Sequence, residues 1–423
     1  MDVIDWLLDS DPAIRWQVMR DLTGAPGDAV AAERARVAGE GWGARLLALQ
    51  QPHGQWPAGT PAFPSKDAQQ WWRSLGPERQ GTLFPVWTST TWSLALLMTF
   101  GVDPDSAAVR HAVGLVRGNV RWEHDGEPYF DGEVEPCING RTVALGAYFG
   151  VDVAPVVERL LGEQMADGGW NCEQENGSTR GSFHTTIDVL EGLLAYERAT
   201  GSAPDVASAR FRGQEYLLER RMFRSLSTGQ MIDYDRKTEA PAAWRRFSFP
   251  TYWHYDVLRG LEYLRAAGLT PDDRVTEAID LVGSKRGADG RWPLENPHPG
   301  ETYFAIDDGE GQPSRWNTLR AMRVLRWHER AGDAGPAALP LRMVRGRAGA
   351  EVAQHGEDPA VAGVAGVQPE LGEDRVDVLA DRAVGDHEGR RDLGVGAALG
   401  HQRQHVAFPL GQDVQRVGAP ADQ

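Results

Sequence analysis

Val157-Glu158-Arg159-Leu160-Leu161-Gly162-Glu163-Gln164, closing two residues later on Asp167-Gly168-Gly169-Trp170, is the stretch that decides the fold. Its apolar residues recur at three- and four-residue steps, the period of a helix with one buried face, and the glycines then stop it. The same unit is written twice more. Trp42-Gly43-Ala44-Arg45-Leu46-Leu47-Ala48-Leu49-Gln50-Gln51 closes on Gly54-Gln55-Trp56. Ala278-Ile279-Asp280-Leu281-Val282-Gly283-Ser284-Lys285 closes on Asp289-Gly290-Arg291-Trp292. Weaker versions begin near Ala112 and Gln214. Each unit is followed by a more apolar helical segment, beginning near Thr88, Asn139, His184, His254 and Asn317. Helix, turn and helix returning every roughly 50–65 residues is a repeat architecture. Its amphipathic helices predict an outer layer and its apolar helices an inner one. Alternating β-branched runs between turn clusters are nearly absent, so an all-α fold is expected.

Working outward, Ile4 to Leu22 reads as a further helical hairpin. It is broken at Asp9-Ser10-Asp11-Pro12, with Asp11 placed as an N-cap and Pro12 at the first helical position. It resembles one HEAT-type unit and could lie against the ring's edge. Beyond about Ala334 the character changes. All 15 tryptophans and all nine tyrosines fall earlier, and the remainder is rich in Gly, Ala, Val, Asp and Arg. Such a segment buries too little to offset its ordering entropy, so a disordered tail is expected. The expected division is residues 1–39, a hairpin; 40–333, the repeat domain; and 334–423, the tail.

Bulk properties exclude some functions. A formal net charge of −16 is unsuited to holding phosphate backbones, so no nucleic-acid partner is expected. The best candidate among the apolar runs, Leu94 to Phe100, is far too short to span a bilayer. The start carries acidic residues where a secretory signal carries positive charge, and two cysteines make no disulfide framework. A cytoplasmic setting is the expectation.

The Gln…Gly-x-Trp units resemble the QW motifs of squalene–hopene cyclases, and Asp167-Gly168-Gly169-Trp170 also looks like the turn of protein prenyltransferase β subunits. Within that superfamily the chain is most similar to actinobacterial cyclase- or prenyltransferase-like proteins. The resemblance covers most of residues 40–330 and implies an α/α toroid whose active cavity lies among the inner-helix N-termini. It also implies an enzyme acting on an isoprenoid-like or other small apolar substrate in that central cavity.

Five clusters stand at the starts of the expected inner helices: Trp87-Thr88-Ser89-Thr90-Thr91, Cys137-Ile138-Asn139-Gly140-Arg141, Ser182-Phe183-His184-Thr185-Thr186, Trp253-His254-Tyr255-Asp256 and Arg315-Trp316-Asn317-Thr318. In a toroid they would converge. Cys137, His184 and His254 are the candidate catalytic residues, as thiolate and general bases. Trp87, Thr88, Asn139, Arg141, Tyr255, Arg315, Trp316 and Asn317 are the candidate substrate contacts, Arg315 for an anion. Ser, Thr and Asn there also serve as ordinary helix caps. The resemblance further implies zinc. Cys137, His184 and His254 are its candidate ligands, with Cys172 or Asp131 in addition, since thiolate and imidazole suit that metal. The acidic Asp-x-Asp-Asp motif of the cyclases and the Asp-x-Cys motif of the prenyltransferases are absent. Asp307-Asp308 and Asp233-Tyr234-Asp235 are the nearest acidic pairs. The turn residues Glu173, Glu175 and Asn176 read as a polar connector that could also touch substrate. Arg259 and Arg320 read as helix-surface charges. A non-catalytic helical-repeat scaffold for a ligand or protein is the alternative from another functional class.

Overall fold

A computed structural model describes residues 2–59, 86–122, 126–201, 203–232 and 243–333. The acidic pair Asp233 and Asp235 and the expected tail lie outside these residues. Within them the regular structure is helical; short bridges form, but no strand. Three helices come first: α1 (Val3–Leu8), α2 (Pro12–Val18) and α3 (Gly27–Ala35). Five outer–inner pairs follow. They are α4 (Gly41–Ala48) with α5 (Thr90–Phe100), α6 (Ala107–Asn119) with α7 (Pro136–Phe149), and α8 (Ala154–Gly162) with α9 (Phe183–Thr200). The last two are α10 (Pro204–Glu219) with α11 (Val257–Ala266), and α12 (Thr276–Ser284) with α13 (Arg315–Asp333).

The inner helices α5, α7, α9, α11 and α13 each touch the next, and α2 touches both α13 and α5. The ring is therefore closed by six helices, the sixth supplied by the N-terminal hairpin. This is an α/α toroid. The burial pattern matches the sequence periods: α5 and α7 are buried over nearly their whole length, whereas α8 and α12 bury one stripe each. In the hairpin, Asp11 caps α2 by accepting from Ala13 N at 2.9 Å, with Pro12 at the first helical position.

The turn units share one indole bond throughout, and pairs of them share further bonds. Trp56, Trp170 and Trp292 each donate Nε1 to a carbonyl ten residues earlier (Leu46, Leu160 and Val282) at 2.7 Å. Gln50 donates to Gly54 O and, across to α6, Ala112 O; Gln164 donates to Gly168 O and, across to α10, Ala209 O. One amide thus closes its own turn and holds the neighbouring outer helix. On the inner side, Trp170 N donates to Thr186 Oγ1 and Trp292 N to Thr318 Oγ1, both at 3.0 Å. Gly168 stands at φ 87°, where a side chain would also collide with Arg212 O at 2.5 Å, so glycine is required there.

Candidate functional site

A cavity of about 330 Å³ lies inside the ring. Its walls come from the inner helices, from first-turn residues such as Trp92 and Trp316 to later ones such as Thr99 and Arg198, and from residues 249–252, which enter from the loop before α11. Trp92, Phe249, Tyr252 and Trp316 supply an apolar surface. Phe249 stacks on Trp316 at 4.5 Å between ring centroids, and Tyr252 stacks on Trp87 at 4.0 Å. Aliphatic residues such as Leu96, Met98 and Leu194 add to that surface, and among them stand charges, with Arg141, Glu191, Arg259, Glu262, Arg320 and Arg323 inside and Arg198 and Arg265 toward the C-terminal ends of α9 and α11.

The charges are organised around Asp188, which is fully buried. Its Oδ1 accepts from Arg141 at 2.5 Å and from Arg259 at 2.6 Å. Glu191, one turn on, accepts from the same two guanidinia at 3.0 and 2.7 Å. Burial pushes the Glu191 carboxyl up, but Arg259 and then Arg141 outweigh it and hold the group down at about 2. Burial raises Asp188 against the same two guanidinia. The tetrad needs α7 and α9 in close approach, and glycine provides it. A Cβ on Gly192 would stand 2.3 Å from Gly140 O, and one on Gly140 would stand 2.6 Å from the Asp188 backbone. Further round, Arg323 meets Asp21 at 2.5 Å and Glu262 at 3.7 Å, while Arg320 donates to Ser248 O and Asn317 Oδ1. Arg259 and Arg320 are thus no surface charges; they are 3% and 7% exposed and face the ring's interior.

Of the expected substrate contacts, Arg141 and Trp316 line the cavity. The others hold the N-terminal end of the ring together. Trp87 donates to Pro299 O at 2.7 Å; Thr88 Oγ1 accepts from Gly59 N. Asn139 makes a reciprocal pair with the Glu133 backbone, and Asn317 donates to Phe247 O and Pro293 O. Tyr255 donates its hydroxyl to Met222 O at 2.7 Å. Arg315 reaches the Trp6 carbonyl and lies over the Trp6 ring, so it fastens α1 to α13. Asp307 accepts from Ser314 Oγ and Arg315 N as the cap of α13, and burial raises it to about 7. It stands away from the cavity wall.

The two histidines meet each other. His184 and His254 have ring centroids 5.9 Å apart, and His254 stacks on His298 at 3.7 Å. His184 Nδ1 accepts from Tyr255 N at 2.7 Å, which spends its lone pair on the backbone. Burial, assisted by Arg259 and His298, pushes His184 down to about 3; burial, then Arg246 and Arg259, does the same for His298. Cys137 turns the other way round the ring. Its sulfur lies 3.0 Å from Cys172 Sγ and 3.5 Å from Glu135 Oε2. Among the described residues these three are the group whose donor atoms come together as a metal would require, and neither imidazole belongs to it. Burial and the charge of Glu133 push Glu135 up to about 7. The donors implied for zinc are therefore divided between two places, because His184 faces α11 while Cys137 faces the turn before α9.

The residues that sequence reasoning missed are Asp188, Glu191, Glu262 and Arg323, and the role of Arg259 and Arg320. The available signal was charge at three-residue spacing, Asp188/Glu191, Arg259/Glu262 and Arg320/Arg323, within helices otherwise apolar enough to be inner.

No family model matches the chain, and no curated protein matches it. Solved structures with similarity to it include a protein from Actinoplanes, at 16% identity over 76% of this chain and 90% of that one, with a TM-score of 0.35. The type II terpene cyclase MstE from Scytonema is similar at 15% identity over 73% of this chain and 99% of that one, TM-score 0.30. A variant of the same cyclase in complex with geranylgeranyl dihydroxybenzoate, its substrate, matches at 15% identity, covering 71% and 97%, TM-score 0.30.

Proposed function

We propose that the chain holds a short isoprenoid-like molecule, apolar at one end and anionic at the other, in its central cavity, and acts on it as an enzyme of terpene cyclase or prenyltransferase type. The observation that carries this reading is the wall itself, five aromatic side chains (Tyr263 with the four above) beside a rim of arginines in about 330 Å³. Aromatic faces accept an apolar body and stabilise an adjacent cation. At the rim, Arg198 is held below an ordinary guanidinium, first by burial and then by the like charges of Arg265 and Arg210. An anion placed between Arg198 and Arg265 relieves that repulsion. Of the two ways to begin carbocation chemistry, loss of an anionic leaving group suits this wall better than protonation of an alkene. The carboxyls of the wall, Glu191 and Glu262, each face two arginines, and Glu191 is held ionised. An ionised carboxylate has no proton to give.

Calorimetric titration with geranyl diphosphate and with geraniol tests the reading. The diphosphate should bind at least about tenfold more tightly, a difference of about 1.4 kcal/mol, and Arg198→Ala should remove most of it. Equal affinities, or no binding by either, would refute it. The second reading, a non-catalytic binder, is favoured by the same full pairing of the wall carboxyls. It differs in one outcome, recovery of the bound diphosphate unchanged after prolonged incubation.

A further inference from the structure

Cys137 and Cys172 lie outside the cavity and have no part in the function proposed above. Cys137 stands in the first turn of α7, and Cys172 opens the short helical turn Cys172–Gln174 that follows Trp170. Their sulfurs are 3.0 Å apart across 35 residues of chain. The chain has two cysteines in all, so each is the other's sole intramolecular partner. Their exposures differ. Cys137 is 8% exposed, whereas Cys172 is half-buried and lines a cleft of about 270 Å³ with Asn171, Glu173 and Asn176. A small oxidant has room there to reach Cys172 first, with Cys137 behind it.

We infer that Cys137 and Cys172 are a redox-modification site, closing reversibly to an intramolecular disulfide when the protein meets a peroxide. The electrons and atoms balance over two steps. Cys172 sulfur attacks one peroxide oxygen, the O–O bond breaks, and the thiol hydrogen leaves with the released hydroxide as water; Cys172 is then a sulfenic acid. Cys137 sulfur attacks the Cys172 sulfur, the S–O bond breaks, and the second thiol hydrogen leaves with that oxygen as a second water. Two thiols have lost two electrons to one peroxide. The 3.0 Å approach makes the second step intramolecular, so it outruns further oxidation of the sulfenic acid. Hydrogen bonding to Cys172 and burial push the Cys137 thiol well above its ordinary value; at Cys172 the bond to Cys137 acts downward, but burial and the charge of Glu135 together leave the thiol raised. Both therefore rest as thiols, and the reaction is slower than that of an exposed thiolate. The new bond would tie the start of an inner helix to the loop of residues 171–181, which is otherwise held by side-chain bonds such as Asn171 to Arg180 O and Tyr216 to Gly181 O.

The test uses the whole protein, first reduced, then exposed to hydrogen peroxide, with thiol titration in denaturant, intact mass and thermal melting. Both thiols should vanish together, the mass should fall by two hydrogens, the protein should stay monomeric on a denaturing gel, and Tm should rise by about 5 °C. Dithiothreitol should reverse all of it. In Cys137→Ser, the mass should instead rise by one or more oxygens at Cys172. Thiols that survive peroxide sufficient to oxidise the urea-unfolded chain would overturn the inference. So would independent oxidation of both to sulfinic acids, or thiols unreactive until a chelator strips stoichiometric zinc.

Discussion

At the scale of single residues, the ring's N-terminal end and its interior stabilise the fold through opposite protonation states. His184 and His298 are held neutral, each pushed to about 3 from the ordinary 6.5 by burial. A basic group whose folded value lies below its unfolded value contributes stability fully above 6.5 and loses it as pH falls from there toward 3. Glu191 is held ionised at about 2 against an ordinary 4.5, so its contribution is complete above 4.5 and is lost between 4.5 and 2. The two windows overlap but begin at different pH. Urea unfolding at a series of pH values should show stability nearly flat above pH 7. Below about pH 6.5 each shielded histidine should cost at most about 1.4 kcal/mol per pH unit, while Glu135 and Asp307, raised to about 7 by burial, act in the opposite direction down to about pH 4.5; below that the decline should steepen. His298→Gln should flatten the upper part of the decline and leave the lower part in place. An identical slope between about pH 6.5 and 4.5 in His298→Gln and in the unsubstituted protein would mean that this imidazole is not shielded.

At the scale of elements, the turn unit is the repeat's joint. Trp170 is fully buried and its indole N–H reaches Leu160 O, while Gln164 bridges Gly168 O and Ala209 O. Trp170→Phe keeps most of the packed ring but strands the Leu160 carbonyl, and Gln164→Leu strands that of Gly168 and removes the link to Ala209 O of α10. Each should lower the unfolding free energy by about 1–3 kcal/mol in denaturant melts, because a buried acceptor without a donor keeps its desolvation cost. Values within experimental error of zero would mean that solvent replaces these bonds and the joint is held by packing alone. These joints were legible in the sequence because every residue of the turn lies within a few positions of the next, and its Gly and Trp have few other uses. The interior charges were not. Arg259 on α11 reads locally as one more basic residue on a helix, and only its partner 71 residues away, Asp188, makes it an interior group. Three-residue spacing puts Asp188 and Glu191 on one face of α9 but does not say whether that face meets water or the ring's axis. Cys137 and His184 were recognisable as unusual residues at helix starts, yet the sequence is silent on which neighbour each turns toward. Asn139, Thr88 and Asn317, weighed there against ordinary capping, make backbone contacts that fasten loops and helix starts.

At the scale of the whole molecule, five outer–inner pairs do not close a ring, and the sixth inner helix is α2. Its contacts reach both open flanks. Trp16 Nε1 donates to Phe100 O at the end of α5 at 2.8 Å, and Gln17 donates to Thr99 O while accepting from Arg323 of α13 at 2.7 Å. Asp21 pairs with Arg323 at 2.5 Å, and Arg326 donates to Leu22 O at 2.5 Å. Without these partners Arg323, 8% exposed, would keep Glu262 as its one acid, at 3.7 Å, and the apolar flanks of α5 and α13 would face water. Gln17 is also part of the cavity wall, so the hairpin completes the site as well as the ring. A chain lacking residues 2–25 should therefore fail to give a cooperative thermal transition, or should self-associate through the opened flanks when examined by size-exclusion chromatography. The milder Gln17→Ala should retain the fold and lose about 1–3 kcal/mol, since it leaves Thr99 O without its side-chain donor and removes one partner of Arg323. If the shortened chain melts cooperatively, as a monomer, at an unchanged temperature, then the hairpin is an appendage, and the closure of the toroid must rest on the five remaining pairs.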